Sequence, residues 1–208
     1  GVIKISRFFE EKTGSKTADI PTVGWFCVAE QFPAEATNGK IFCDNFGMMT
    51  QLREKIAYLP DDVRLKKLAG NILLMAQSGQ YNYPRCIKRG ETAAAQLAVG
   101  EFVNTALKVI FLLNKKYIPY YKWTFRALKD LGKLSDLYGD LEYLISSDNT
   151  EAEKKQEIIE KISARVIDEL KAQELTKISS PNLEPHAYSV NDKIKDGEIR
   201  NLNILYAV

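Results

Sequence analysis

Twenty-two consecutive residues, Thr92 to Leu113, carry only two charged side chains, Glu101 and Lys108, and are apolar on almost every side of a helical wheel. A helix without a polar face in a water-soluble chain has to be surrounded by other protein. This segment is therefore expected to be the buried spine of a helical bundle, with Leu97 in the core. One stripe of it differs, because Glu91, Ala94, Ala95, Ala98, Glu101, Thr105 and Lys108 recur at spacings of three and four and share a face. Small residues admit another helix or a ligand. Burying Glu101 alone would be costly, so it either pairs with a neighbouring cation for structural reasons or serves a cleft.

The segments on either side read as helices too. Asp61 is a plausible N-cap for a run in which Val63, Leu65, Leu68, Ile72, Leu73, Met75 and Ala76 recur near the helical period, and Gly79 is expected to end it. Pro84 suits a first helical turn, so the next helix starts there or after Gly90. Beyond the spine, Pro119 disfavours a helical Ile118 and turns the chain into a helix from Tyr121 to Leu131, where Lys122 and Arg126 lie four apart on one face. Further helices are expected over Asp136–Ile145, from a Thr150/Glu153 capping box to about Gln173, and from Ala187 to Tyr206, with SSPNLEPH as a loop. In the long one, Ile158, Ile159, Ile162, Val166, Ile167 and Leu170 form an apolar stripe opposite a solvated charged face.

The first 59 residues are less regular. GVIKIS and Lys40–Cys43 read as short strands, SRFFEEKTG as a short helix stopped by Gly14, and Met48–Tyr58 as a helix closed by Pro60. An isolated pair of short strands is marginal in water. The expected architecture is thus mainly α, a helical bundle over 60–208, with a small α+β segment over 1–59 that flanks a head domain's sheet.

Charge is concentrated in one place. Between Gln77 and Lys129 nine Lys and Arg face two acids, a net +7, so the remainder carries −5 in a chain of formal charge +2. Clustered cations beside Tyr117, Tyr120, Tyr121 and Trp123 suit a phosphate, a carboxylate or a stacked base. Other chemistries fit poorly. Cys27, Cys43 and Cys86 are odd in number and widely spaced, which supports neither a disulfide framework nor a zinc knuckle. The single histidine, His186, makes a Ser-His-Asp triad improbable and is expected on the surface or at a cap. No apolar run approaches the roughly 20 residues that span a bilayer, and the N-terminus lacks a signal-peptide core. A soluble, cytoplasmic protein is expected.

The strings YLPDDVRLKKLAG, MAQSGQYNYPRCIKRGE and LLNKKYIPYYKW, in that order, resemble the bacterial helical domain known as domain of unknown function 4037. That similarity extends over about Val2 to Leu131. In that family the helical domain typically follows a nucleotidyltransferase head, so the resemblance implies a bundle that closes a cleft and presents an acceptor. It places Tyr81, Asn82, Tyr83, Arg85, Lys88, Arg89, Glu91, Tyr117, Lys122 and Arg126 toward the cleft, joined by Glu101 of the small-residue stripe. Mg-ATP or another NTP would come with a head that supplies the metal-binding carboxylates.

Head motifs are missing from this sequence. Gly14-Ser15 runs into KTADIPTVG rather than to a strand with paired Asp, and Asp61-Asp62 open a helix. No catalytic or metal-binding residue is therefore assigned, and the chain is expected to be the C-terminal part of a longer protein or a stand-alone relic. The function expected is substrate or nucleotide binding beside a nucleotidyltransferase head, with a small molecule or nucleotide as ligand and no membrane partner. The alternative is a non-enzymatic module whose basic-aromatic face binds protein or nucleic acid. In the first case, Arg85, Lys88 and Arg89 are expected to share one cleft with Lys122 and Arg126, floored by Ala94, Ala95 and Ala98 and rimmed by Tyr81, Tyr83 and Tyr117.

Overall fold

Pro60, extended at φ −54° and ψ 143°, releases the chain into the helix on which the molecule is assembled. In the computed structural model, which describes residues 1–208, this helix, α4 (Asp61–Met75), buries 12 of its 15 residues, whereas the apolar helix α6 (Thr92–Leu113) buries 12 of 22. The spine is therefore α4, not α6. It is packed between α6 and α10 (Leu183–Asn191) and also meets the N-terminal layer. Leu97, expected in the core, is 78% exposed. Hydropathy misleads here because, of the seven residues of α6 before Val99, only Ala95 is buried, and the helix enters the core mainly from Val99 onward.

Charged residues tolerate burial on α4 because their heads find oxygen. The Lys66 ammonium, wholly buried, donates to Asn191 Oδ1 at 2.9 Å and to the carbonyls of Arg200 and Leu202 at 3.1 and 2.6 Å. Desolvation holds its pKa below the usual lysine range. Asp62 accepts the backbone N–H groups of Lys195 and Asp196 at 3.0 and 2.9 Å. The C-terminal tail is pressed so closely onto α4 that a Cβ on Gly70 would sit 2.7 Å from the Ile204 carbonyl oxygen.

Gly79 does not end this helix. The backbone widens into a π turn over Ala76–Asn82 and continues as α5 (Tyr83–Lys88). Pro84 lacks the N–H that an unbroken α-helix would need there, and the wide turn immediately precedes it. Gly79 is required by packing instead, since a Cβ would lie 2.3 Å from the Phe102 ring. Gly90, at φ +73°, then turns the chain back into α6. An 18-residue window of α6 has a mean hydropathy of 1.4, so by length and composition it is long and apolar enough to cross a membrane, contrary to the sequence reading; most of that window is packed inside the protein.

The N-terminal layer contains α1 (Ile5–Thr13), a 3-10 turn (Thr22–Cys27), α2 (Gln31–Thr37) and α3 (Met48–Lys55). The two expected strands do not form, and no residue of the chain is in a strand. Val2 and Ile3 have no partner strand, and Ile5 instead opens α1. Lys40–Cys43 lies in a loop held by Arg53, whose guanidinium donates to the carbonyls of Asn38 and Gly39 at 2.6 and 3.0 Å. Phe9, Ala18, Trp25, Ala36, Leu52, Ile56 and Leu59 join the same 43-residue apolar core as the helices that follow, so the first 59 residues are packed onto the bundle.

After α6 come α7 (Tyr121–Leu128), a 3-10 turn (Ser135–Leu137), α8 (Tyr138–Ser146), α9 (Ala152–Ala172), α10 and α11 (Gly197–Asn201). On α9, Ile159, Ile162, Val166, Ile167 and Leu170 are buried, as the stripe predicts. The Thr150/Glu153 capping box is absent: Thr150 gives both its N–H and its hydroxyl to Asp148. The last expected helix is two, beginning at Leu183 inside the expected loop and broken before Asp196, which caps α11 by accepting from Glu198 N and Ile199 N. His186 is fully buried rather than on the surface. Its Nε2 donates to the Ser180 carbonyl, so Nδ1 accepts from the Thr176 hydroxyl, both at 3.0 Å.

Candidate functional site

The basic groups at the two ends of α6 stay apart. Arg85, Lys88 and Arg89 precede that helix and Lys122 and Arg126 follow it, and 22 helical residues at 1.5 Å each make a separator of about 33 Å. The single cleft expected from the sequence does not form. At the α5 end, the Arg85 guanidinium lies 4.5 Å from the Tyr81 ring centroid and bonds its hydroxyl, both side chains being exposed. Asn82, Lys88, Arg89, Glu91 and Glu101 are exposed as well, and Glu101 has no cation within 4.0 Å. Ala94 is exposed, Ala95 buried and Ala98 between the two, so they are no common floor.

Two of the expected rim residues are core. Tyr83 is inaccessible, its hydroxyl near Asn149 Oδ1 and the Ala152 carbonyl at 3.4 and 3.5 Å, and desolvation raises its pKa. Tyr117 is buried, donates to the Ile56 carbonyl at 3.0 Å, and stands with its ring centroid 5.2 Å from that of Tyr58. Its pKa too is raised, first by desolvation and then by the Glu30 carboxylate.

At the other end of α6 the surface is concave. A cavity of about 760 Å³ lies between α2 and α7 and is bordered by Tyr120, Lys122, Trp123 and Arg126. A second of about the same volume is bordered by Ile41, Arg53, Phe111, Lys115, Lys116 and Tyr117. Both include Ala34, Asn38, Pro119, Ala127 and Asp130, so they are two lobes of one groove. The connector enters α7 through an extended Tyr120 (φ −51°, ψ 144°), whose ring meets Phe32 of α2 edge-on with centroids 6.4 Å apart.

Electrostatics favour an anion in this groove. Lys116, Lys122 and Arg126 have no carboxylate within 4.0 Å, and Lys115 only grazes Asp61 at 3.9 Å. Of the acids on the walls, Glu35 is taken by Lys12. Lys122 Nζ and Arg126 Cζ lie 5.9 and 5.2 Å from the Trp123 ring centroid, leaving the indole 47% exposed between two cations. Lys115 sits at φ +52°, a left-handed conformation that disfavours a lysine.

Beneath the groove, α4 meets the N-terminal layer through a polar cluster that the sequence reading missed. Glu30 Oε1 is 3.4 Å from Lys67 Nζ, with both side chains almost buried. Glu30 Oε2, the Tyr58 hydroxyl and Arg64 Nη1 are buried without partners. Desolvation, then the Glu30 charge, pushes the Tyr58 pKa far up. Arg64 reaches Asp61 at 3.2 Å, which links the cluster to Lys115 at the groove wall. Arg53, Lys115 and Lys116 were also unassigned in sequence. The Asn-Lys-Lys after the apolar helix was a usable signal for the lysines; Arg53 offered none, since its role depends on a loop fold. No three His, Cys, Asp or Glu side chains converge as a metal site would require.

Comparison with known proteins adds one finding: residues 25–124 match the family described as Domain of unknown function (DUF4037). No curated protein and no solved structure matches the chain. The matched span runs from the 3-10 turn to the start of α7, so it includes Lys122 and Trp123 of the groove but ends before Arg126.

Proposed function

We propose, from the match of residues 25–124 to the DUF4037 family, that the chain is the helical ligand-binding part of a nucleotidyltransferase-like protein. Its α2–α7 groove holds an anionic substrate or nucleotide. The metal-binding carboxylates and Mg-ATP belong to a nucleotidyltransferase head, and this chain does not catalyse transfer alone. The observation that carries the reading is the set of cations without carboxylate partners, Lys116, Lys122 and Arg126, on the wall of a groove that also exposes an aromatic ring.

The physics of such a site is positioning. Phosphoryl and nucleotidyl transfer demand little covalent help from the protein beyond aligning the reactants and neutralising charge. A lysine pair and an arginine on short, fixed segments can anchor an anionic group, while α2 and the extended connector exclude part of the solvent. The test is a calorimetric titration of the chain with pyrophosphate and ATP. Binding that falls by about tenfold or more in Lys122→Ala/Arg126→Ala, in line with charge-assisted contacts of ~1.5–3 kcal/mol, supports the reading. Binding unaffected by that double change contradicts it. The exposed Tyr121 and Trp123 beside these cations also suit a single-stranded nucleic acid, and steeply salt-dependent RNA binding that outcompetes ATP would favour that alternative.

A further inference from the structure

Building on the reading of the α2–α7 groove as a ligand site, we infer that its ligand is a phosphate ester on a ring body, with the phosphate against Lys115 and Lys116 and the ring against Trp123. A polycationic acceptor such as an aminoglycoside does not fit it.

The sign of the lining excludes the polycation. Such a ligand needs several free carboxylates, and the groove has only Glu54 and Asp130 outside ion pairs, against Arg53, Lys116, Lys122 and Arg126. The two lobes differ in kind, which divides the ligand. The lobe beside Lys115 and Lys116 has three cations, counting Arg53, whose guanidinium is locked onto two loop carbonyls and so keeps a fixed positive charge at the wall. The lobe beside α7 has the half-exposed Trp123 indole, with Lys122 and Arg126 near its ring.

The lobes meet at Pro119 and Ala127, and Ala127 is one helical turn beyond Trp123. A molecule that reaches from the lysines to the indole therefore has to cross Pro119, and a phosphate joined to a single ring has the shape for that path. The left-handed Lys115 closes α6, with Lys116 N–H donating to the Phe111 carbonyl at 3.0 Å, and Lys115 and Lys116 both border the lobe. A base, by π stacking, and a sugar, through its C–H face, can each lie against an indole, and the experiment separates them.

The chain is titrated at fixed ionic strength with AMP, ribose 5-phosphate, adenosine, inorganic phosphate and kanamycin, reading heat and tryptophan emission. The other tryptophan, Trp25, borders neither lobe, and an emission change that disappears in Trp123→Leu reports Trp123. Stacking on an aromatic side chain is worth ~1–3 kcal/mol, about 5- to 150-fold, so at least one ester should bind about tenfold or more tighter than phosphate and quench the emission. Trp123→Leu should reduce that ester to the phosphate level, Trp123→Phe should keep part of the gain, and Lys116→Ala should weaken phosphate and ester together. AMP tighter than ribose 5-phosphate identifies a base on the indole; equal affinities identify a sugar. Phosphate as tight as both esters, an ester no tighter than adenosine, or kanamycin as the tightest ligand overturns the inference while a bound anion leaves the anionic-groove reading standing. Absence of any anion binding overturns both.

Discussion

Helices α4 and α6 invert what their sequences advertise. The first carries five charged residues among its 15 and is the more buried; the second is the most apolar segment of the chain and leaves Leu97 in water. Burial follows from where a helix sits between layers. A charged residue is admitted wherever its head can be satisfied, as Lys66 is by three oxygens. An apolar residue on an unpaired face is simply left outside.

The largest test of that contrast is Lys66→Ala. It removes the donor that binds the Arg200 and Leu202 carbonyls to α4 and leaves a cavity, so a loss of ~3 kcal/mol or more in denaturant unfolding is expected. The matching Leu97→Ala change should stay within ~0.5 kcal/mol, as exposed substitutions do. A reversed order would mean that α6 is the true spine.

A finer test separates the two tyrosines where α4 meets the N-terminal layer. Tyr117→Phe leaves the buried Ile56 carbonyl without its donor and should cost ~1 kcal/mol, whereas Tyr58→Phe removes a hydroxyl that has no partner and should be neutral or stabilising. Equal losses would show that the Tyr58 hydroxyl is satisfied after all.

The pH dependence is the smallest effect. Tyr58, Tyr83 and Tyr117 have raised folded pKa values, so above pH ~10 the unfolded chain releases protons that the folded chain keeps, and stability falls as pH rises. Lys66 and Lys155 have lowered folded values, so their contribution rises with pH up to ~10.5 and then levels off. Thermal melts should thus decline above pH ~10.5, where the tyrosines and Lys154, whose folded pKa is raised by its bond to Glu151, all lose stability as pH rises, and less so in Tyr117→Phe than in the parent chain.

Local signals in the sequence were read well where one element answers to its own residues. The stripe on α9, the helix after Pro119 and the stop at Gly14 are of that kind, because periodicity, proline sterics and a left-handed glycine act within a few residues. Gly79 was misread since its reason is Phe102, 23 positions away, and the strand readings failed because Val2 and Ile3 found no partner. The candidate groove was half legible. Lys122 and Arg126 stand at the groove, but joining them to Arg85 and Arg89 required knowing that a helix of about 33 Å lies between them. The Glu30–Lys67 pair spans two layers and left no pattern in the residues around it.

The two ends of α6 can be compared in one measurement, amide chemical-shift mapping of the isotope-labelled chain during titration with pyrophosphate. If the groove is the ligand site, the amides of Ala34–Asn38 and of Lys115–Arg126 shift in a saturable way while those of Tyr81–Glu91 stay still. Saturable shifts confined to Tyr81–Glu91 would instead put the ligand on the exposed Tyr81–Arg85 surface and contradict the account.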